Sequence, residues 1–333
     1  MVNQWKVVQF GLGPIGIEAA KLVMKKNNLQ LVGGVDIAPE KVGRDLGELL
    51  NLNQNLNLQV SNDPANLFAE VKPDVVLHCT GSFLNRVEEQ LRLCIEAGVS
   101  VVSSCEELFY PYHRDAAFCE RIHAAAKHHD VTVMATGVNP GFSMDALALA
   151  MTSVCTEVEK IQVTRIVDAS KRRQPLQKKV GAGLNADDFR KLVNDGKLGH
   201  IGLVESLLAV ADKLEFDLDE VQESIDPKIS DRTVETPYLK VSAGEVAGIL
   251  HVARGLKNGD ERIKLELQMY VGADEPMDCV QIEGNPPIHL KVAGGIFGDS
   301  ATIARMVNAA PVVAEGAPGL KTVLDLPMPF CIR

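Results

Sequence analysis

The sequence predicts an α/β fold class: a doubly wound parallel sheet, followed by an α+β domain with an open, mostly antiparallel sheet. Three observations support this prediction. The chain of 333 residues exceeds what one hydrophobic core usually organises, so two domains are expected. Its first half alternates short apolar runs with amphipathic segments, which is typical of βαβ units. Beyond about residue 136 the strand segments lengthen and alternate between apolar and polar residues, as in an antiparallel sheet with one covered face.

The first domain is expected to span residues 1–140. Its apolar runs predict strands at residues 6–10, 29–35, 75–79, 99–103 and 131–135. Amphipathic segments predict helices at residues 15–26, 87–97 and 115–127. Because helices connect the strands, neighbouring strands should pair in parallel and the helices should cover both faces of the sheet.

The second domain is expected to span residues 141–298, with strands at residues 161–167, 245–253, 263–271, 280–283 and 288–292. Helices predicted at residues 187–194 and 203–214 would cover one face of this sheet. The tail, residues 299–333, has a helical pattern near its start. We expect this C-terminal helix to pack back on the first domain.

Composition and charge argue against several classes of protein. The formal net charge of −10 is unfavourable for a general affinity for nucleic acid. No apolar stretch reaches the roughly 18 residues of a membrane span, and the N-terminus lacks the layout of a signal peptide. The seven cysteines are scattered without a C-x-x-C pair. This usage indicates reduced thiols in a cytoplasmic protein and predicts no metal site.

A glycine-rich turn follows the first predicted strand. Residues 11–16 match G-x-G-x-x-G and open a helix, which is the context of a Rossmann-type dinucleotide-binding turn. Gly11 permits the tight turn, Gly13 lets the backbone approach a pyrophosphate, and Gly16 lets helix and strand pack closely. Pro14 and Ile15 begin the helix, whose N-terminus offers N–H groups to phosphates. The first domain is therefore predicted to bind NAD or NADP.

An acidic residue follows the second predicted strand. Asp36 lies 20 residues after Gly16, where a carboxylate accepts hydrogen bonds from the adenosine ribose hydroxyls. Because a carboxylate repels a 2′-phosphate, Asp36 favours NAD over NADP. Lys41 and Arg44 lie just beyond it and leave the use of both cofactors open.

Small polar segments stand at the carboxyl ends of the later strands, where ligands of open α/β sheets bind. The residues expected to contact the cofactor there are Thr80, Gly81, Ser82, Ser104, Cys105, Asn139 and Pro140. The segment 80–82 is explained equally well as a turn that caps the next helix.

Two adjacent glutamates, Glu106 and Glu107, follow the fourth predicted strand. A carboxylate beside a nicotinamide can take up a proton as hydride moves, so either one is a candidate catalytic residue. An acid at the start of a helical turn, favoured by the helix dipole, is the simpler explanation for at least one of them. The aromatic residues that follow, Phe109 and Tyr110 among them, suit either a pocket wall or a packed interface.

The second domain offers weaker signals. Residues 165–173 are rich in arginine and lysine, and a cation such as Arg173 would pair with the carboxylate of an amino-acid substrate. A solvated charge run explains the same stretch. His200 is placed in the substrate pocket, against the general tendency of a lone histidine to be structural. Phe142 completes the predicted pocket.

Several segments together resemble a known family. They are residues 11–16 and 36 and the stretches 43–48, 79–82, 103–108, 137–141, 172–179, 199–206 and 308–320. In these segments the chain resembles the 2,4-diaminopentanoate dehydrogenases and native amine dehydrogenases, within the dihydrodipicolinate reductase-like superfamily. The resemblance spans most of the chain.

This resemblance implies an NAD(P)-dependent amine dehydrogenase that acts on a small amine or diamino acid. In reverse, such an enzyme aminates a ketone or aldehyde with ammonia. The family's catalytic acid is a glutamate at a strand end. The related homoserine dehydrogenases carry a lysine in a similar motif, and laying that motif on residues 101–108 selects Glu106 over Glu107. In these families the second-domain sheets pack face to face between subunits, which implies a homodimer.

Two other functions stay open as alternatives. A homoserine-type alcohol or semialdehyde dehydrogenase would carry a lysine at position 106, where this sequence has Glu106. A non-catalytic NAD(P)-sensing protein would bind the cofactor without turnover, and the polar strand ends with paired glutamates weigh against it.

Overall fold

The computed structural model describes residues 4–332, which form two compact units. The first unit combines the N-terminal part of the chain, up to Gly141, with the C-terminal part from Gly298 onward. The second unit is Phe142–Phe297. Each unit has its own sheet and its own hydrophobic core.

The first unit contains, within residues 4–332, a seven-stranded parallel sheet. Numbered along the whole chain, its strands are β1 Trp5–Phe10, β2 Leu29–Val35, β3 Val60–Ser61, β4 Val75–His78, β5 Ser100–Ser103, β6 Thr132–Ala135 and β15 Gly319–Lys321. Their order across the sheet is β15–β6–β5–β4–β1–β2–β3, and all neighbours are parallel. Every residue of β4, β5 and β6 is buried, as expected for a sheet covered on both faces.

Helices flank this sheet on both sides. They are α1 Pro14–Val23, α2 Leu46–Leu49, α3 Pro64–Val71, α4 Leu84–Glu96, α5 Ala116–His128 and α10 Gly298–Ala314. One core packs α4 and α5 against one face, and another packs α1 and α10 against the opposite face. This doubly wound arrangement confirms the predicted fold of the first half of the chain. No helix within residues 4–332 has both the length and the apolar character needed to cross a membrane.

The C-terminal segment differs from the helix expected over residues 299–333. Helix α10 ends at Ala314, and the chain then adds β15 to the edge of the sheet, with Gly319 in register with Thr132. Met306 and Val307 of α10 are fully buried against the sheet. The prediction of a helix is therefore wrong beyond Ala314. Periodicity along the chain does not reveal a three-residue strand whose partner lies far away in sequence.

The second unit contains the longer strands. They are β7 Glu157–Asp168, β8 Glu220–Ile229, β9 Val234–Glu235, β10 Lys240–Val241, β11 Val246–Lys257, β12 Asp260–Tyr270, β13 Met277–Asn285 and β14 Ile288–Ala293, with helices α6 Ala146–Thr152, α7 Gln174–Lys179, α8 Ala186–Asn194 and α9 Leu203–Lys213. The main sheet has the order β14–β13–β7–β12–β11–β8. Within this fully described unit, its neighbours are antiparallel except for β7 and β12. The mostly antiparallel sheet that the sequence predicted is confirmed.

Strand β8 has no counterpart in the sequence prediction. It lies at the edge of the sheet, its residues are mostly exposed or half-exposed, and it contains Pro227. Proline has no backbone N–H to donate to a neighbouring strand, so within sheets it is found mainly on edge strands. A strand with so little apolar alternation gives no period-2 signal.

The core of the second unit lies on one face of the sheet. In β12, Ile263 and Leu265 are fully buried, whereas the intervening Lys264 is partly exposed. Helices α6 and α9 supply apolar residues to the same core. The alternation that predicted these strands thus marks a sheet with one covered face.

Candidate active site

The glycine-rich turn between β1 and α1 has the backbone geometry that its sequence predicts. Gly11 has a φ of +90°, and a Cβ added there would lie 2.4 Å from the carbonyl oxygen of Cys79. A Cβ on Gly16 would lie 1.9 Å from the carbonyl oxygen of Gly11. Both positions therefore admit glycine alone.

Gly13 is a different case, because an added Cβ would meet none of the described residues within 4 Å. It is the N-cap of α1, a position without a side-chain hydrogen bond in the described structure, and Pro14 follows at the start of the helix. The open space lies at a helix N-terminus, which is a natural site for anions. This part of the turn fits the pyrophosphate of a dinucleotide.

Asp36 directly follows β2 and holds the glycine-rich turn. Its Oδ2 accepts the backbone N–H of Leu12 at 2.8 Å and pairs with Lys41 Nζ at 3.0 Å, and its Oδ1 accepts the N–H of Ala38 at 2.9 Å. Partial burial acts to raise the pKa of this carboxyl, but the three hydrogen bonds outweigh it and lower the pKa below its ordinary value. The carboxylate is therefore ionised, with a cation at its side.

A small pocket of about 40 Å³ lies at the carboxyl ends of β5 and β6, next to α10. Its volume suits a few water-sized groups. The structure brings six predicted residues together here: Ser104, Cys105, Glu106, Phe109, Asn139 and Pro140. Thr136, Gly137 and Thr302 complete the lining.

Two oxygen acceptors in this pocket have no hydrogen-bond partner within residues 4–332: Thr136 Oγ1 and Asn139 Oδ1. Both atoms are buried, and a buried acceptor without a partner costs free energy. The pocket is therefore suited to a ligand group that donates hydrogen bonds, such as an ammonium or a carboxamide. Sequence reasoning missed Thr136, although its place directly after β6 was a usable signal.

The structure assigns different positions to the two adjacent glutamates. Glu107 is largely buried: its Oε2 accepts the N–H of Leu84, the first residue of α4, at 2.8 Å, and its Oε1 pairs with Arg114 at 3.1 Å. Glu107 thus caps a helix whose N-cap residue, Phe83, supplies no side-chain hydrogen bond. Glu106 lines the pocket.

Cys105 lies beside these carboxylates. Burial, followed by the negative charges of Glu106 and Glu107, raises the pKa of the thiol to about 12. A protonated thiol is a poor nucleophile, so Cys105 acts here as a packing residue of the pocket.

The segment after β4 is partly occupied by internal contacts. The Thr80 hydroxyl donates to Gln90 Oε1 at 2.5 Å and lies 2.9 Å from His78 Nε2. Ser82 uses its carbonyl oxygen to accept the N–H of Glu107 at 3.2 Å. Gly81 is half-exposed. The buried His78 was not singled out from the sequence.

Tyr110, a predicted pocket residue in the first unit, is buried and packs edge to face on Tyr112. The second unit carries Phe142, Arg173 and His200. Phe142 is half-buried, and Arg173 is exposed at the start of α7. Its neighbour Arg172 is the buried cation, with its guanidinium 5.3 Å from the ring centre of Phe297.

His200 has a buried Nε2 with no hydrogen-bond partner in the described part of the chain. Burial, followed by the charges of His251, Lys179 and Arg165, lowers the pKa of His200 to about 3. A neutral imidazole with an unsatisfied nitrogen is suited to a polar ligand group. His251, which sequence reasoning missed, likewise has a buried and unpartnered Nδ1 within residues 4–332.

The basic stretch 165–173 does not act as one surface. Arg165 is buried in β7, where it pairs with Asp278 and donates to Ser143 Oγ at 3.0 Å and to the carbonyl oxygen of Ile296 at 2.7 Å. Its contacts are structural. Across residues 4–332, no cluster of histidine, cysteine and acidic side chains is arranged to hold a metal ion.

Known proteins of similar sequence and structure cover nearly the whole chain. Residues 142–333 match the family model described as the 2,4-diaminopentanoate dehydrogenase C-terminal domain. Residues 5–105 match the model described as dihydrodipicolinate reductase, N-terminus.

Individual relatives agree with these matches. The 2,4-diaminopentanoate dehydrogenase of Acetoanaerobium sticklandii is 30% identical, over 98% of this chain and 94% of its own length. An amine dehydrogenase of Streptomyces virginiae is 27% identical over 96% of each chain. The solved structure of an amine dehydrogenase from Mycobacterium smegmatis has a TM-score of 0.85 and 25% identity, and the match covers 98% of this chain and 97% of that chain.

Proposed function

Since the chain belongs to the 2,4-diaminopentanoate dehydrogenase family, we propose that Glu106 is its catalytic residue. The protein is an NAD(P)-dependent amine dehydrogenase: it deaminates an amine oxidatively and, in reverse, aminates a carbonyl compound. One observation carries the assignment of Glu106. Of the two adjacent carboxylates, Glu107 caps α4, whereas Glu106 lines the pocket with the unpartnered acceptors of Thr136 and Asn139.

The first unit would hold the cofactor. The turn at Gly11, Gly13 and Gly16 fits the pyrophosphate, and Asp36 stands where the adenosine ribose binds. The bound nicotinamide supplies hydride acceptance and donation. We propose NAD as the preferred cofactor because Asp36 is ionised, while the cation of Lys41 at 3.0 Å reduces the repulsion of a 2′-phosphate and leaves NADP usable.

Glu106 is assigned the handling of nitrogen and protons. In the reductive direction ammonia adds to the carbonyl carbon to give a carbinolamine, which takes up one proton from solvent as it loses water and becomes an iminium ion. The Glu106 carboxylate takes a proton from the nitrogen and returns it to the departing oxygen. It also stabilises the positive charge of the iminium, which is an electrostatic contribution made where charge develops. The acceptor oxygens of Thr136 and Asn139 offer further partners for N–H groups.

The substrate is proposed to be a small amine or diamino acid, or the matching ketone or aldehyde with ammonia. Phe109 and Tyr110 of the first unit would supply apolar wall. His200 would meet a polar group, since its Nε2 is buried without a partner in the described structure. For a substrate carboxylate, the buried Arg172 is a better placed cation than the exposed Arg173.

We also propose a cytoplasmic homodimer formed through the second unit. Its core lies on one face of the six-stranded sheet. The other face of β12 carries Lys264, Glu266 and Gln268, which are only partly exposed, and a second copy could pack on this face. Size-exclusion chromatography with light scattering tests the dimer.

The test of function measures NADH and NADPH oxidation with excess ammonium and a panel of small ketones, aldehydes and 2-amino-4-oxopentanoate. Glu106→Gln should lower kcat by roughly 100-fold to 10,000-fold. Glu107→Gln is the matched control, because its amide oxygen can still accept the Leu84 N–H, and it should keep most of the activity.

Other results would change the assignment. Oxidation that needs no ammonium would indicate an alcohol or semialdehyde dehydrogenase. Cofactor binding without turnover on any carbonyl would indicate a sensor. Loss of activity in Glu107→Gln but not in Glu106→Gln would reverse the roles of the two carboxylates.

A further inference from the structure

A buried polar network lies behind the segment that carries Glu106. His78, at the end of β4, is completely buried. Its Nδ1 lies 2.9 Å from Ser103 Oγ, at the end of β5, and its Nε2 lies 2.7 Å from Gln90 Oε1. Thr80 joins this network through its hydroxyl.

The partners fix the direction of each hydrogen bond. Gln90 Oε1 is an acceptor, so His78 Nε2 carries the proton and donates it. His78 Nδ1 then has a lone pair and accepts the hydroxyl proton of Ser103. Burial lowers the pKa of His78 to about 4, against a smaller opposing contribution from Gln90, so the imidazole is neutral near neutral pH.

This direction leaves Ser103 Oγ as an acceptor, and it accepts the backbone N–H of Cys105 at 3.1 Å. The N–H of Ser104 is also held, by the carbonyl oxygen of His78 at 2.9 Å. On the other side of Glu106, the carboxylate of Glu107 is held by Leu84 and Arg114. Glu106 thus lies between two fixed neighbours.

We propose that His78, acting through Ser103, is a positioning residue for Glu106. The inference rests on the proposed function of Glu106. The same imidazole contacts Thr80, a predicted cofactor contact, and so couples two strand ends of the site. Small displacements matter here, since misplacing a catalytic group by about 1 Å can cost roughly 100-fold in rate.

The chain supplies a matched control on the same strand. Ser100, at the opposite end of β5, is also buried, and its Oγ also accepts a backbone N–H, that of Thr132, at 3.1 Å. Ser100→Ala and Ser103→Ala therefore each remove a buried hydroxyl that accepts a backbone N–H, and Ser103→Ala also removes the hydrogen bond to His78. Only Ser103→Ala releases the segment that carries Glu106.

Both variants should lose thermal stability, and Ser103→Ala should lose more because it also removes the partner of His78 Nδ1. Ser103→Ala should lower kcat by about 10-fold to 100-fold and shift the pH profile of kcat, with little change in KM for the carbonyl substrate. Ser100→Ala should leave kcat and the profile near those of the wild type. Ser103→Thr retains the hydroxyl and should restore most of the rate.

Amide hydrogen exchange of residues 104–109 provides a readout independent of turnover. Exchange should accelerate in Ser103→Ala and in His78→Phe, which keeps a ring against Phe10, and should stay unchanged in Ser100→Ala. Equal exchange and equal kcat in the two serine variants would overturn the proposal. If the wild type shows no ammonium-dependent turnover, the proposed function fails, and the exchange comparison still decides whether His78 positions this segment.

Discussion

Replacing Glu107 by alanine should destabilise the first unit without removing the group that lines the pocket. The Glu107 carboxylate accepts the N–H of Leu84 at the start of α4 and pairs with Arg114. Alanine cannot accept this hydrogen bond, and the Leu84 N–H is too buried for water to replace it fully, since Leu84 is 5% exposed.

The size of the effect follows from the two contacts. Loss of a helix cap typically costs about 1–2 kcal/mol. The Arg114 side chain is 45% exposed, so the ion pair adds only about 0–1 kcal/mol. A total of roughly 1–3 kcal/mol corresponds to a fall in Tm of about 2–12 °C for a unit of this size.

Scanning calorimetry of the wild type, Glu107→Ala and Glu106→Ala measures this effect. Glu106→Ala is the matched control, because it leaves the cap of α4 in place, and its Tm should fall less than that of Glu107→Ala. The reasoning fails if Glu107→Ala melts with the wild type, or if Glu106→Ala is the variant that loses stability.

Three further predictions follow from the structure. Gly16→Ala should lower Tm, because its Cβ would lie 1.9 Å from the Gly11 carbonyl oxygen. Gly13→Ala should fold normally, because its Cβ would meet none of the described residues within 4 Å, but it should lose NADH affinity. Calorimetry measures the first effect and NADH fluorescence titration the second. Asp36→Asn removes the charge and keeps one of the two acceptor oxygens. The ratio of kcat/KM for NADPH to that for NADH should rise about tenfold; an unchanged ratio would contradict the role of the charge. The pKa of His78 falls from 6.5 to about 4 on folding, so between these pH values the unfolded chain binds a proton that the folded chain does not. Stability should therefore fall as pH drops from 6.5 toward 4 and become constant below pH 4. The urea midpoints of His78→Phe should lack this part of the pH dependence.

Much of the first unit was determined by local sequence. Short apolar runs alternate with amphipathic segments, and this alternation alone predicts parallel strands joined by helices. The glycine-rich turn is equally local, since the steric demands at Gly11 and Gly16 arise within one strand–turn–helix unit. Asp36 was placed because its spacing from Gly16 reflects that same unit.

The resemblance to the family favoured Glu106, but only the tertiary structure shows that Glu107 caps α4 while Glu106 lines the pocket. Two adjacent acids look alike in sequence, and the residue that caps α4 is known only when Leu84, 23 residues earlier, is brought beside it. The same holds for β8, an exposed edge strand without alternation, and for β15, whose partner β6 is distant in sequence.

Buried polar contacts were the least predictable feature. His78 and Ser103 form a hydrogen bond between two neighbouring strands. The acceptor oxygens of Thr136 and Asn139 stand out only in the folded structure, where they are buried and have no hydrogen-bond partner among the described residues. Sequence determined which segments form strands and helices because that information is periodic and local. Hydrogen-bond partnership joins side chains across distant elements, so only the folded chain decided which polar groups are structural and which line the pocket.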